Sequence, residues 1–415
     1  MKIILSAFEC NPYTGSDSYL GWTYVLNMAR FNEVYALTRI ENKNDIERYC
    51  GENDVPQKLH FVYVERSQFF AKHLYKLNPY LGFLGSYYVW QKAAYKKARE
   101  LCKNTDISLC HHVSIADFRC AGYLWKLKKP FIFGPVGGGQ ETPECLSYYI
   151  KGHEKEERIR SFLNKVLVRL PNYRKALKRA AAIYSSNEET TQRMMKCLPE
   201  AEREKVFQLT ELCIEDQYIV ERSQLRREKK DIVHIIVSGR LIYRKGIALL
   251  IDAVQKISTD VNFVVDIYGE GDQKETLIRM VKEYGIESHV KFHGKVAFEE
   301  IQQRYKETDI FVLPSLRETT GTALLEAMAN KLPVVALNQN GAKLVVTDNS
   351  GILINVNTRD QIIADLAAAL TTLIEDYALR CRLGENGYSI IRETFSWDKR
   401  MAQMNEVYKH LCSKE

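Results

Sequence analysis

Short apolar runs alternate with longer amphipathic stretches along this chain of 415 residues. The apolar runs are rich in β-branched and aromatic residues and are bounded by Gly, Pro or Asp, which is typical of buried strands. The predicted strands are Ile3–Phe8, Val34–Thr38, Leu59–Val64, Ile107–His111, Phe131–Phe133, Ala182–Ser185, Ile232–Ser238, Val261–Tyr268, Val290–His293, Ile310–Leu313, Val334–Leu337 and Ile352–Ile354. Most of the stretches between them have a helical pattern. This alternation predicts parallel sheets that are covered by helices on both faces.

The number of predicted strands exceeds one ordinary sheet, so we expect an α/β protein with two Rossmann-like domains that face each other across a cleft. The first domain would span 1–210 and the second 211–394, because a charged segment follows the boundary and the strand signal then restarts. A last helix, 395–415, has Trp397 as an apolar anchor. Ligands of open α/β sheets bind beyond the carboxyl ends of the strands. The cleft is therefore the predicted substrate site.

Composition narrows the functional classes only modestly. The formal charge of +7 favours anionic ligands or an anionic membrane surface, and we expect no nucleic-acid partner. The ten cysteines form no C-x-x-C pair, which fits a reducing cytoplasm. The first residues are typical of a strand rather than a signal peptide, and no apolar run reaches membrane-spanning length. We expect a cytoplasmic protein, with the inner face of the membrane as a further location.

The strongest chemical motif is a pair of acidic residues around a helix start. Glu318 precedes the predicted helix that follows strand Ile310–Leu313, and Glu326 lies inside that helix. The N-terminus of a helix presents unpaired N–H groups and can hold a pyrophosphate. The amides would be those near Thr320, Gly321 and Thr322. The alternative is an ordinary capped helix with two solvated glutamates.

A basic loop follows the strand that ends at Ser238. Arg240 and Lys245 lie five residues apart across this turn, just before a helix, and both could reach one diphosphate. The alternative is a basic, solvated turn. No cluster of metal-ligating residues is visible. We therefore expect no metal site, because the two cations would stabilise a leaving diphosphate instead.

Two motifs in the first half are less specific. Gly15 lies in a loop after the first strand, where a glycine lets the backbone approach an anion; an ordinary turn is the alternative. His111 and His112 end a predicted strand, where an imidazole can orient a sugar hydroxyl or stabilise developing charge. A structural role for one or both histidines is equally open.

Together these motifs resemble the retaining glycosyltransferases of family 4, which have the GT-B fold. The matching residues occur in the family's order along almost the whole chain: Gly15-Ser16, His112, Gly239-Arg240, Lys245-Gly246, Gly269-Glu-Gly271, Glu318 and Glu326. The resemblance implies that the second domain binds the nucleotide sugar and that the last helix crosses back to the first, acceptor-binding domain.

The resemblance also implies a role for each matching residue. Arg240 and Lys245 would hold the donor diphosphate, and Glu326 would accept hydrogen bonds from the ribose. Glu318 would contact the donor sugar, with His112, or its rival His111, on the other side. The remaining donor-binding positions would be Gly15, Ser16, Gly239, Gly269, Thr320, Gly321 and Thr322, with the main chain near Val296 at the base.

The implied activity is retaining, metal-independent transfer of a sugar from a UDP- or GDP-sugar to a glycan or lipid-linked acceptor hydroxyl. Such an enzyme would act in the synthesis of cell-surface glycans or polysaccharides and would need no cofactor besides its nucleotide-sugar co-substrate. Two alternatives share the architecture: a nucleotide-sugar 2-epimerase and an inactive partner subunit.

A basic stretch suggests a second partner. Residues 158–179 contain eight Lys or Arg and no acid, and Phe162, Val166 and Leu170 are spaced for one helix face. A basic amphipathic helix can lie on an anionic membrane. The alternative is a solvated basic face over a buried apolar stripe.

Overall fold

The structure is a computed structural model that describes residues 1–15, 17–66, 79–258 and 262–413. The predicted site residue Ser16 and the predicted strand start at Val261 lie outside the described residues. Within them, the chain forms two compact units. Unit 1 consists of Met1–Gly139, Ser161–Glu211 and Arg400–Glu415, and unit 2 consists of Gln140–Arg160 and Leu212–Lys399.

The sheet of unit 1 is entirely parallel. Its seven strands are ordered β3-β2-β1-β4-β5-β6-β7. The strands are β1 Lys2–Ala7, β2 Glu33–Arg39, β3 Leu59–Val64, β4 Leu109–Ser114, β5 Phe131–Val136, β6 Ala182–Ser185 and β7 Val206–Gln208. β1 pairs with both β2 and β4. The strand order therefore reverses direction between β1 and β4.

The sheet of unit 2 has the same plan with six strands, ordered β10-β9-β8-β11-β12-β13. The strands are β8 Val233–Ser238, β9 Phe263–Tyr268, β10 Val290–Gly294, β11 Ile310–Leu313, β12 Val334–Leu337 and β13 Gly351–Ile354. Here the order reverses between β8 and β11. The predicted α/β class with two Rossmann-like domains is confirmed, and β7 is the strand that the pattern does not predict.

Helices connect the strands, as parallel pairing requires. Those of the first half are α1 Asp17–Met28, α2 Lys43–Glu52, α3 Pro79–Asn104, α4 Glu154–Val166, α5 Pro171–Arg179 and α6 Glu188–Met195. Those of the second half are α7 Asp216–Arg222, α8 Ile247–Val254, α9 Lys274–Glu283, α10 Phe298–Glu307, α11 Thr322–Ala329, α12 Ala342–Val345, α13 Arg359–Glu375, α14 Tyr377–Thr394 and α15 Trp397–Cys412.

Burial explains why the strands read as continuous apolar runs. Every residue of β4, β5, β9, β11 and β12 is buried, because helices cover both faces of each sheet. The core of unit 1 gathers large aromatic side chains such as Trp90, Phe131 and Phe133 around β4 and β5. Unit 2 has an aliphatic core on one face of its sheet and a second cluster around α11 on the other.

The last helix returns to unit 1, as predicted. From Arg400 onward its residues belong to that unit. Arg400 donates to the carbonyl of Thr210, and Asn405 Oδ1 accepts from Asn32 Nδ2 at 2.8 Å. These buried polar contacts attach α15 to elements that are far away in sequence.

The largest difference from the predicted domain boundaries is in one segment. Residues 140–160 were expected within a continuous first domain, but they belong to unit 2. Tyr149 donates to Asp252 Oδ2 at 2.5 Å, and Arg359 donates to the same oxygen at 3.0 Å. Such long-range contacts leave no trace in local periodicity.

The basic stretch 158–179 is not one helix. α4 ends at Val166, a 3₁₀ turn spans Leu167–Arg169, and α5 begins at Pro171. The break follows from Pro171, which favours the first turn of a helix and restricts the residue before it to extended backbone. The expectation that Phe162, Val166 and Leu170 share one helix face is therefore wrong, although Phe162 and Leu170 are exposed.

Candidate functional site

The predicted site residues of unit 2 gather at the carboxyl ends of its central strands. The loop after β8 carries Gly239, Arg240 and Lys245, and the loop after β11 carries Glu318 and leads into α11. β8 and β11 are neighbours at the point where the strand order reverses. This is the usual position of a ligand in an open α/β sheet.

Two glycines allow these loops to lie against each other. Gly246 has φ +68, and a Cβ there would lie 1.9 Å from the carbonyl oxygen of Pro314. Gly269, which follows β9, has φ +146, and a Cβ there would lie 1.8 Å from the carbonyl oxygen of Gly239. Any larger residue would push the loops apart. The glycines thus fix how closely the basic loop approaches its neighbours.

Glu318 is held between two cations of the basic loop. Lys245 Nζ forms a short ion pair with Glu318 Oε2, and Arg244 lies 3.8 Å from Glu318 Oε1. Burial alone would raise the pKa of Glu318, but the charges of Lys245 and Arg244 outweigh it and hold the pKa below its ordinary value. Glu318 is therefore ionised at neutral pH. Its amide also donates to Asn340 Oδ1 at 3.1 Å, which fixes the backbone.

Arg240 occupies a different environment from Lys245. It is exposed at the end of β8, and it forms no ion pair with any side chain in the described parts of the chain. Burial lowers the pKa of Arg244, and the neighbouring charges of Arg317 and Arg240 lower it further, although Glu318 opposes them. Arg240 is thus close enough to add to the positive potential around Arg244 without being neutralised itself.

The N-terminus of α11 lies beside this charged group. Gly321 is the N-cap residue, with φ 87, and no side chain caps the helix. A Cβ on Gly321 would lie 3.3 Å from Glu318 Cγ. Thr320 is buried, whereas Gly321 and Thr322 are partly exposed. The predicted anion-binding turn therefore exists, and it lies directly against the predicted sugar-contacting acid.

Glu326 lies inside α11, as predicted, but its charge state is unusual. Burial raises its pKa to about 7, although hydrogen bonds from Gln302 and Tyr305 oppose the shift. Tyr305 also shares a 2.5 Å hydrogen bond with Ser238 at the end of β8. Tyr305 thus links Glu326 to the end of β8. Its carboxyl group is only partly ionised near neutral pH.

The remaining positions of unit 2 surround the end of β10. The amide of Gly269 donates to the carbonyl of Gly294 at 2.7 Å, and Val296 follows in the loop before α10. Val296 is partly buried and packs against the cluster around α11. Its main chain lies in the loop that follows β10, on the β9 side of the switch point.

The sequence did not predict a set of contacts that holds the basic loop and the loop before α11. We call this set of contacts the latch. Glu157, at the start of α4, accepts from Arg317 at 2.7 Å and from the Tyr243 hydroxyl at 2.8 Å. Gln140 donates to Thr319 Oγ1 at 3.1 Å. The same 140–160 segment therefore contacts both the basic loop and the loop before α11. A signal was present, since Arg317 and Arg244 are cations that directly precede Glu318 and Lys245.

The two histidines of unit 1 are not at a strand end. Both lie within β4, which continues to Ser114, and both are buried. Burial lowers the pKa of His111 to about 3 and that of His112 to about 4, so both are neutral at pH 7. The prediction that these histidines end a strand is wrong, because β4 continues beyond them to Ser114 and is buried throughout.

Their contacts distinguish the two. His111 bonds to the carbonyl of Gly134 through Nε2 and lies 2.5 Å from the Tyr408 hydroxyl through Nδ1. Nδ1 therefore attaches α15, and Nε2 bonds to the neighbouring strand β5. His112 Nε2 lies 3.3 Å from the Tyr87 hydroxyl and 3.2 Å from the carbonyl of Ile115. The structure thus favours a structural role for His111.

Gly15 lies in an open position. It is exposed on the loop after β1, and a Cβ there would meet no atom within 4 Å. The loop begins with a turn in which Asn11 Oδ1 accepts from the amide of Tyr13 at 2.8 Å. Nothing in the surrounding packing requires glycine at this position.

No group of three or more His, Cys, Asp or Glu side chains in the described residues is arranged to hold a metal ion. No helix there is long and apolar enough to cross a bilayer.

Comparison with known proteins gives a family for the second half of the chain. Residues 219–390 match the family described as glycosyl transferases group 1. The chain is 32% identical over 176 residues to an uncharacterized glycosyltransferase of Methanocaldococcus jannaschii, covering 42% of this chain and 44% of that protein. It is 28% identical over 184 residues to a GDP-mannose-dependent α-(1-6)-phosphatidylinositol monomannoside mannosyltransferase of Mycobacterium tuberculosis, covering 42% and 47%. The chain thus spans less than half the length of these curated relatives.

A solved structure resembles the whole chain. The Anabaena protein HepE in complex with UDP has a TM-score of 0.65 at 16% identity, covering 99% of this chain and 100% of that one. At this identity the likeness establishes the fold, which is GT-B. This fold and the match of residues 219–390 both agree with the GT-B resemblance inferred from the motifs.

Proposed function

Because residues 219–390 carry a domain of the group 1 glycosyl transferases, we propose that this chain is a glycosyltransferase that uses a nucleotide diphosphate sugar. The observation that carries the proposal is the position of Glu318, between Lys245 and Arg244 and beside the uncapped start of α11. A donor diphosphate needs cations and free amides, and a transferred sugar needs an acceptor of hydrogen bonds. All three are adjacent here.

Charge complementarity supports a diphosphate as the ligand. The cluster contains four cations and two carboxylates: Arg240, Arg244, Lys245, Arg317, Glu157 and Glu318. Two positive charges remain in excess, which matches the two negative charges of a nucleotide diphosphate sugar. Within this cluster, Arg240 forms no ion pair with a described residue, so it can bind phosphate without breaking an existing contact.

Glu326 and Glu318 would contact different parts of the donor. Glu326 would accept hydrogen bonds from the ribose hydroxyls, and Glu318 would contact the hydroxyls of the sugar. The main chain near Val296, with Gly239 and Gly269, would face the base and the phosphates. The UDP-bound HepE structure and the GDP-mannose-dependent relative support a UDP- or GDP-sugar donor.

The transfer itself would proceed with retention and without a metal. The bond between the anomeric carbon and the diphosphate oxygen breaks, and the acceptor oxygen bonds to that carbon on the same face. The acceptor proton passes to the leaving diphosphate. Arg240 and Lys245 stabilise the charge that develops there. His112, neutral in this structure, and Gly15 would contribute to the acceptor side.

For the acceptor we propose a glycan or lipid-linked hydroxyl, used in cell-surface glycan synthesis by a cytoplasmic protein that docks on anionic membrane. Phe162 and Leu170 support the docking, since they are 63% and 45% exposed within a stretch rich in cations. Exposed apolar side chains among cations suit a lipid interface.

The experiment is a donor panel. The protein is incubated with UDP- and GDP-sugars, thermal shifts identify the donor, and transfer to added glycan acceptors is then measured. We expect one donor to stabilise the protein and to be consumed in an acceptor-dependent reaction that Glu318→Gln slows. Conversion of the donor to an epimer without acceptor would instead support the epimerase alternative. Absence of binding by any nucleotide sugar would contradict the proposal.

A further inference from the structure

Unit 1 contains a cavity at the amino ends of its strands. Its volume is about 730 Å³, which is within the usual range of ligand pockets. α5 leads into β6, the 3₁₀ turn Glu200–Lys205 leads into β7, and the 3₁₀ turn Leu124–Lys126 precedes β5. The cavity therefore lies at the edge of the sheet opposite to Gly15, which follows the carboxyl end of β1.

Cations dominate the lining of this cavity, which we call the basic pocket. Four basic side chains, one acid and one tryptophan line it: Lys175, Lys178, Arg179, Lys205, Glu202 and Trp125. Lys205 Nζ donates to Glu202 Oε2 and to the carbonyl of Lys178, both at 2.9 Å. The hydrogen bond from Lys205, together with the charges of Lys205 and Lys178, keeps the pKa of Glu202 below its ordinary value. Glu202 is therefore ionised at neutral pH, and its one negative charge leaves three positive charges in excess.

Three of these cations are accessible to a ligand. Lys175, Lys178 and Arg179 are exposed residues of α5, and none of them forms an ion pair within the part of the chain that the structure describes. Lys175 and Arg179 are four residues apart, and like charges at this spacing destabilise a helix. The dipole of α5 favours cations in its last turn, but it does not neutralise them. A bound anion would.

Trp125 forms an apolar wall of the basic pocket in a fixed position. Its Nε1 donates to the carbonyl of Gly122 at 3.1 Å, and Asn172 Nδ2, at the start of α5, donates to the same carbonyl at 3.5 Å. Because Nε1 is used in this bond, the indole offers mainly carbon surface to a ligand. Lys and Arg side chains suit phosphate oxygens. The lining thus fits phosphate groups that are attached to a carbon skeleton.

We propose that the basic pocket binds a ligand with two or more phosphate groups, through Lys175, Lys178 and Arg179. The three excess charges exceed the charge of about −2 that one phosphate monoester carries. Two sources share this chemistry: a soluble compound with several phosphates, and the phosphorylated headgroup of an anionic lipid. The site does not depend on the proposed sugar transfer, because none of its residues belongs to the Glu318 site. A headgroup would add a specific contact to the proposed membrane docking.

The test uses inositol hexakisphosphate as a soluble probe, in a calorimetric titration at physiological salt concentration. We expect saturable binding to the wild type, and an affinity roughly tenfold weaker when Lys178→Gln and Arg179→Gln are combined, because exposed cations each contribute modestly. Both positions are exposed, so this variant should fold normally. The matched control combines Lys96→Gln with Arg99→Gln, which removes the same charges from exposed positions of α3, and should bind as the wild type does.

Three results would overturn the proposal. The first is absence of saturable binding to the wild type. The second is equal weakening in both double variants, since the probe would then respond only to the general positive charge of unit 1. The third is binding that Lys245→Ala abolishes and the Lys178→Gln, Arg179→Gln variant retains, because the probe would then occupy the Glu318 site of unit 2.

A competition distinguishes the two sources. The wild type is sedimented with phosphatidylcholine vesicles that contain phosphatidylinositol 4-phosphate, and inositol hexakisphosphate is then added. If the probe releases the protein, and the Lys178→Gln, Arg179→Gln variant sediments less than its control, the pocket binds the lipid headgroup. If the protein does not sediment, or the probe leaves its sedimentation unchanged, calorimetric binding of the probe identifies a soluble ligand.

Discussion

At the scale of single residues, Glu318 and Glu326 have opposite electrostatic environments, although one precedes α11 and the other lies within it. Glu318 contacts Lys245 and Arg244, which keep its pKa low. Glu326 faces Gln302 and Tyr305, and burial raises its pKa to about 7. Environments that separate the pKa values of two acids often separate their roles. Glu318 is permanently charged at neutral pH, whereas Glu326 can gain or lose a proton.

Glu326→Gln should change how stability depends on pH. An acid whose pKa is higher in the folded state favours folding while protonated, so the wild type loses stability as the pH rises from 4.5 through about 7. Glutamine does not titrate, so the variant lacks this pH dependence. We expect the variant to gain on the order of 1 kcal/mol relative to the wild type between pH 5 and pH 8. Urea unfolding at both pH values measures it, and a constant difference would contradict the assignment.

The two cations of the basic loop should each contribute to donor binding. Lys245→Ala and Arg240→Ala should weaken binding of UDP or GDP by about 1.5–3 kcal/mol, the range for charge-assisted hydrogen bonds. Lys256→Ala is the control, because Lys256 is exposed in unit 2 at the opposite end of α8. Calorimetric titration provides the affinities. If all three variants bound UDP or GDP as tightly as the wild type, the diphosphate would have to bind elsewhere.

At the scale of elements, the strands could be predicted well and the contacts between distant segments could not. All strands except β7 follow from apolar runs, because strands covered on both faces must be apolar throughout. Gly384 and Gly387 weaken the helical pattern of α14, and both pack closely in the structure, Gly384 on the backbone of Lys331 and Gly387 on Met328. The basic loop and the acid pair were found because they adjoin strand ends.

Segment 140–160 is held in unit 2 by contacts with residues far away in sequence, which no local sequence pattern predicts. Glu157 is 11% exposed, as is its partner Arg317. Glu157→Gln would leave the Arg317 charge without its carboxylate and should cost about 1–3 kcal/mol of unfolding free energy. The neighbouring exposed Glu156→Gln is the matched control. We also expect weaker donor binding in the Glu157 variant alone, since the latch holds both loops.

The pH dependence distinguishes the ion pair from packing. Burial would raise the pKa of Glu157, but Arg317 and the Tyr243 hydroxyl lower it below 4.5. A depressed pKa contributes stability above 4.5 that is lost as the pH falls through the folded value. The difference between wild type and Glu157→Gln should therefore shrink below pH 4.5. A difference that persists at pH 3 would indicate a packing defect instead.

At the scale of the whole molecule, the proposed membrane surface lies on unit 1. Lys175→Gln with Lys178→Gln should reduce cosedimentation with anionic vesicles, each cation contributing roughly 1 kcal/mol near such a surface. Lys256→Gln with Lys282→Gln removes the same charge from unit 2 and should have little effect. Raising the salt concentration should weaken the wild-type association. Equal sedimentation with neutral and anionic vesicles would leave the stretch a solvated basic face.

We propose that sugar transfer takes place on one face of the donor at the Glu318 site, without a metal. The most direct measurement is the NMR spectrum of the anomeric proton in the first product formed, in the presence of EDTA. We expect the product to have the donor's anomeric configuration, and we expect Glu318→Gln to slow its appearance. A product of inverted configuration, or complete loss of transfer that manganese or magnesium restores, would contradict it.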